Sequence, residues 1–176
     1  MLKERKRLML LGLAFLILLI FSYFENVIFF KTLNTLFQNQ LLTFFMVFIH
    51  NVTVVSLIIL GMTFYVNLVV SGFFKGQEYE YVILEHPRTF AIVFTIMIIF
   101  VSILRGSTLI FGVINVEVLP KILLVSAPIG IIEGYGIYLT IKKALSRAIS
   151  MKDLVYIYGL FLIAAVIEVC FINLLM

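Results

Sequence analysis

Long apolar runs separated by short polar breaks fill the chain from Leu8 onward. The first run, 8–24, is closed by Glu25-Asn26. Residues 27–40 then change pattern: Phe29, Phe30, Leu33, Leu36 and Phe37 share one helical face, and Lys31, Asn34, Thr35 and Gln38 face away. That pattern predicts an amphipathic helix lying in a membrane interface. A second run covers 41–74, longer than the roughly 20 residues a bilayer needs, so its helix tilts or projects. A polar loop from Lys75 to Arg88 leads to a third run, 89–116, interrupted only by Arg105-Gly-Ser-Thr108. Its two readings are one span with Arg105 facing inward and a re-entrant pair with Arg105 at the surface; the single span is favoured. Pro120-Lys121 precedes a fourth run, 122–141, and after Lys142 to Asp153 a fifth covers 154–176. The runs are too long for membrane barrel strands, so the chain is expected to be an all-α membrane protein, a bundle of five helices in one domain spanning 1–176.

Composition supports this reading. The 176 residues are 64% hydrophobic and 12% charged, where soluble domains are nearer half apolar and a quarter charged. No polar stretch is long enough for a soluble domain or for binding nucleic acid. The basic start followed by an apolar run looks like a signal peptide but lacks a small-x-small cleavage site after it, so an uncleaved first span is expected. With the N-terminus cytoplasmic, Lys3, Arg5, Lys6, Arg7, Lys75, Arg88, Lys142, Lys143, Arg147 and Lys152 fall inside, and only Lys31, Arg105 and Lys121 do not. This positive-inside bias predicts an extracytoplasmic C-terminus in a plasma membrane. Tyr79, Tyr81, Tyr156 and Tyr158 then fall at the inner interface.

Two acids stand out against the apolar background. Glu133 and Glu168 lie inside the last two runs, where an ionised carboxylate must be paired, protonated or wetted. On the fourth span Ser126, Gly130, Glu133, Gly136 and Thr140 share a face, and Pro128 is expected to kink or break the helix. On the fifth, Ala164 and Ala165 lie close to Glu168. The second span carries a stripe of Thr53, Ser56, Thr63, Asn67 and Ser71 and, on another side, Asn51, Gly61, Gly72 and Gly76. Two distinct stripes imply neighbours on both sides, which places this span centrally. Gly72-x-x-x-Gly76 is the spacing that lets helix backbones touch, so Gly61, Gly72 and Gly76 are candidate packing glycines. Asn51, Asn67, Arg105, Gly130, Glu133 and Glu168 form the expected polar centre. Three roles stay open for its acids: polar links between helices, an ion or proton site, or ion pairs with Arg105.

Catalytic chemistry finds little support. Asp153 is the lone aspartate, which excludes a paired-aspartate protease. A zinc site would need His50 with Glu133 or Glu168, and His50 is read instead as capping or lining the mouth of the second span. Ser71-Gly72 lacks the glycine two residues earlier and the base that a serine nucleophile requires. No catalytic residue, metal ligand or cofactor is expected. Cys170 is a single thiol in the last run and cannot form an internal disulfide.

Several pieces together resemble the stage II sporulation protein M (SpoIIM) family of five-span membrane proteins. They are Ile49-His-Asn51 with Gly61, then Ser71-Gly72-x-x-x-Gly76, then Pro128-Ile-Gly130-Ile-Ile-Glu133, then Ala164-Ala-Val-Ile-Glu168, in the family's order. Ile129 stands where the family shows histidine, and His50 where a second asparagine is common. The resemblance implies a non-catalytic membrane scaffold or assembly partner of an envelope complex, dimeric, touching lipid and a membrane or envelope protein. The competing expectation is a small transporter or channel with a carboxylate site at Glu133 and Glu168.

Overall fold

The computed structural model describes residues 2–36, 39–72, 83–111, 116–117 and 119–175, and all regular structure among them is helical. Five long helices occur: α1 (Leu2–Leu36), α2 (Gln40–Val70), α3 (Pro87–Phe111), α4 (Leu119–Leu145) and α5 (Met151–Leu175). In hydrocarbon a backbone must satisfy its own hydrogen bonds, and the helix does so within one segment. Four of the five are long and apolar enough to cross a membrane, over Lys6–Phe29, Gln40–Val70, Pro87–Leu104 and Met151–Cys170. The chain is thus a multi-pass membrane protein by helix length and composition. α4 has 27 residues and packs against three of these four helices.

The arrangement is a central triad with two flanking helices. α2, α4 and α5 pack on one another, α1 packs on α2, and α3 packs on α4. Facing residues fix the directions. Gly12 meets Phe64 and Gly61 meets Phe15, while Glu25 meets His50, so α1 and α2 run antiparallel. Gly136 meets Phe161 and Lys143 meets Asp153, so α4 and α5 do too. Val55, Val66, Ala91, Ile137, Ile141, Leu145, Ile157 and Phe161 form the buried cluster. α1 and α3 leave most of their surface uncovered, for example Met9, Leu13, Ile17 and Ile20 on α1 and Ile92, Ile96 and Phe100 on α3. In lipid such faces carry no penalty, because the tails are as apolar as the side chains, and association rests on close packing instead.

The structure departs from the sequence-based expectation in three places. First, Glu25-Asn26 does not end a helix: α1 continues through it to Leu36, so 27–40 begins as part of α1 rather than as a separate interfacial helix. The polar groups are absorbed locally, since Asn26 Nδ2 donates to Ser22 O at 2.7 Å and the Glu25 carboxylate meets His50. Asn39 then caps α2 by accepting from the amides of Leu41 and Leu42. Second, Gly72 does not pack helices. α2 ends at Val70, and Gly72 sits beyond it at φ 68°, where its missing Cβ permits the turn. Gly76 lies outside the described residues. Third, Pro128 lies inside a continuous α4 and does not break it. The favoured reading of the third run, one helix through Arg105 rather than a re-entrant pair, matches α3, which is continuous from Pro87 to Phe111.

Capping sets the α4–α5 turn. Ala148 N donates to Lys143 O and Arg147 N to Ala144 O, a Schellman closure of α4. Ser150 and Asp153 exchange hydrogen bonds at the start of α5, a capping box tied to α4 by Lys143 at 3.0 Å.

Candidate functional site

The polar residues inside the bundle separate into two groups. Asn51 on α2, Glu133 on α4 and Glu168 on α5 converge from the three helices of the triad. Asn51 lies beside Glu133, and the charge of Glu133 reaches Glu168. Asn51 is buried, and both glutamates are half-buried. The approach depends on small residues: Ala164 and Ala165 are fully buried one turn before Glu168, and Gly136 lies one turn after Glu133 against the Phe161 ring. A Cβ built on Gly136 would sit 2.6 Å from that ring, so only glycine fits.

The centre is incompletely satisfied. Although Asn51 faces Glu133, its Nδ2 finds no acceptor in hydrogen-bonding geometry, and the buried Thr95 Oγ1 on neighbouring α3 is also unpartnered. Neither carboxylate has a cation within ion-pair distance among the described residues. The Arg105 side chain, the expected counter-charge, lies outside the described residues. Carboxyls in such an apolar bundle must be protonated, wetted or paired with a cation.

The second group was not anticipated. Glu25 of α1, only 6% exposed at its side chain, meets His50 of α2 with Nδ1 to Oε2 at 3.1 Å. Phe29, one turn beyond Glu25, stacks on the imidazole with centroids 5.2 Å apart. His50 therefore does not cap α2; it partners an acid from the flanking helix. The signal available was an acid at the end of the first apolar run and a histidine inside the second, but nothing local linked positions 25 residues apart.

The other expected residues disperse. Asn67 lies 16 positions beyond Asn51 on α2, roughly 24 Å along the axis, and lines a pocket at the opposite end of the bundle. A Cβ added at Gly130 would meet nothing within 4 Å, whereas Gly61 fits against Phe15 between α1 and α2. Most of the hydroxyl stripe on α2 bonds its own helix: Thr53 Oγ1 donates to Ile49 O, Ser56 Oγ to Val52 O, and Asn67 Nδ2 to Thr63 O. Ser56 alone of these also reaches another helix, at 2.9 Å from the Tyr158 hydroxyl. Tyr158 is thus half-buried between helices, while Tyr156 is exposed; Tyr79 and Tyr81 lie outside the described residues. Asp153, Lys143 and Ser150 belong to the turn described above. Comparison with protein families, with characterised proteins and with solved structures gives no match to this chain.

Proposed function

We propose that the chain is a non-catalytic, five-span protein of SpoIIM type, working as a scaffold or assembly partner in a plasma membrane, with its N-terminus cytoplasmic and a second copy as partner. One observation carries this reading. Asn51, Glu133 and Glu168 come from three separate pieces of the SpoIIM-like pattern, and they meet where α2, α4 and α5 touch. A polar clasp at that junction fixes the register of the triad, while the apolar flanks of α1 and α3 stay free for lipid or a protein neighbour. The α4 contacts with three candidate spans support a fifth crossing, and the basic residues near both ends of the α4–α5 turn support the orientation.

The Asn51 Nδ2 without an acceptor and the absence of a cation near the glutamates among the described residues favour one alternative, a proton or cation path through the same centre. Liposomes containing the purified chain separate the two. The scaffold predicts ion flux no greater than in empty vesicles, with cross-linking between copies. Selective flux that Glu133→Gln abolishes would replace it with the transporter. Reporter fusions at residue 150 and after Met176 should read opposite faces; agreement between them would remove a crossing.

A further inference from the structure

At the end of the bundle away from the glutamates, the start of α1, the last two turns of α2 and the α4–α5 turn enclose a pocket of about 380 Å³. Its polar wall holds Arg7 and Arg147 with Thr63 and Asn67; Val66 and Ile149 supply an apolar floor. Both arginines are exposed, and among the described residues neither has an acidic partner. Two neighbouring cations are already engaged: Lys143 pairs with Asp153, and Lys142 lies over the Tyr138 ring at 5.6 Å. Two unpaired planar donors lining one cavity match a tetrahedral oxyanion, which each fork engages through two N–H groups.

The backbone at Arg147 gives a second, independent indication. Arg147 has φ 53° and occupies the left-handed closing position of the Schellman motif, where glycine is the usual residue. It is the only residue other than glycine with positive φ among the described ones. The helix would close with less strain on glycine, so the arginine is explained by its side chain rather than by the turn. Arg7, in the pocket wall, stands at the start of the Lys6–Phe29 candidate span, where a basic side chain attracts anionic headgroups.

We propose that this pocket binds a phosphate anion, delivered to it by the headgroup of an anionic membrane lipid. Arg7 and Arg147 hold the phosphate, Asn67 and Thr63 meet the glycerol hydroxyls, and the apolar floor receives the first carbons of the tails. The site is separate from the glutamate centre, and the proposal stands whichever reading of that centre is correct.

The test uses the full chain in detergent with added lipid, followed by native mass spectrometry and thermal unfolding. Phosphatidylglycerol should stay bound and raise the melting temperature, and phosphatidylcholine, whose ammonium group meets the arginines unfavourably, should do neither. The Arg7→Gln/Arg147→Gln pair should weaken phosphatidylglycerol retention roughly tenfold or more. The control pair Lys6→Gln/Lys152→Gln, which removes two exposed charges that do not line the pocket, should leave retention unchanged. Arg147→Gly guards against a folding artefact: it relieves the positive φ, so it should melt no lower than the parent in phosphatidylcholine while losing much of the phosphatidylglycerol shift. Inorganic phosphate that protects equally and competes the lipid off would keep the phosphate site and make its ligand a soluble anion. Equal retention of both lipids, or equal loss in the lysine control, would overturn the proposal.

Discussion

His50 and Asn51 are consecutive on α2, yet they serve opposite kinds of polar region. About 100° of helical rotation separates them, so His50 turns toward α1 and Asn51 toward α4 and α5. On the α1 side, one acid meets one histidine at 3.1 Å beneath a stacked phenylalanine. On the other side, Asn51 lies beside Glu133 with its Nδ2 lacking an acceptor in hydrogen-bonding geometry, and Glu168 lies within reach of the Glu133 charge. The difference separates two ways of keeping a carboxyl in a membrane protein. Glu25 is balanced by a dedicated partner and behaves as a fastening. Glu133 and Glu168 have no such cationic or imidazole partner among the described residues.

The comparison is broken most directly by removing one partner on each side. His50→Leu leaves the buried Glu25 carboxyl without its hydrogen-bond partner, which costs roughly 1–3 kcal/mol. Thermal unfolding in detergent should show this as a large drop in melting temperature. Glu133→Gln and Glu168→Gln remove acids that have no cationic partner among the described residues, so each should change stability by no more than about 1 kcal/mol. Equal losses on the two sides would mean that the glutamates are paired as tightly as Glu25.

Packing offers the next largest effect. Gly136→Ala would drive a methyl group into the rigid ring of Phe161, itself 2% exposed, and overpacking of that kind costs about 1–3 kcal/mol. Because α5 must move to make room, the substitution should also separate Glu168 from Glu133. Gly130→Ala, six residues earlier on α4, meets nothing within 4 Å and gains helix propensity of about 0.5–1 kcal/mol. Should the two substitutions melt alike, the close α4–α5 approach would not be what assembles the centre.

The sequence made the helices legible, because long apolar runs leave the backbone no other way to satisfy itself. It also made Asn51, Glu133 and Glu168 conspicuous, since acids and amides in such runs are costly enough to need an inward face. The central place of α2 followed from its two polar stripes. Less legible was anything decided between helices. Glu25 reads as a helix stop until His50, from another helix, is placed beside it. Gly72 fits a packing motif equally well as a turn, because one missing Cβ serves both, and only the end of α2 at Val70 decides between them. Asn67 shares a stripe with Ser56 but not a depth, and periodicity reports angle without reporting which end of the bundle a residue reaches.

The smallest expected effect concerns the stripe itself. Ser56 Oγ lies 2.7 Å from Val52 O in its own helix and 2.9 Å from Tyr158 Oη on α5. Hydrogen bonds between membrane helices are worth about 0.6 kcal/mol on average and about 1.7 at most, since the separated helices find other partners. Ser56 retains such a partner in Val52 O when Tyr158 is lost. A cycle of Ser56→Ala, Tyr158→Phe and the double variant should therefore return a coupling of about 0.5 kcal/mol. A coupling of about 2 kcal/mol or more would give α2 and α5 a polar fastening of their own. Asn51, Glu133 and Glu168 would then not be needed to hold those two helices in register, and the case for a site at the glutamates would strengthen at the expense of the clasp.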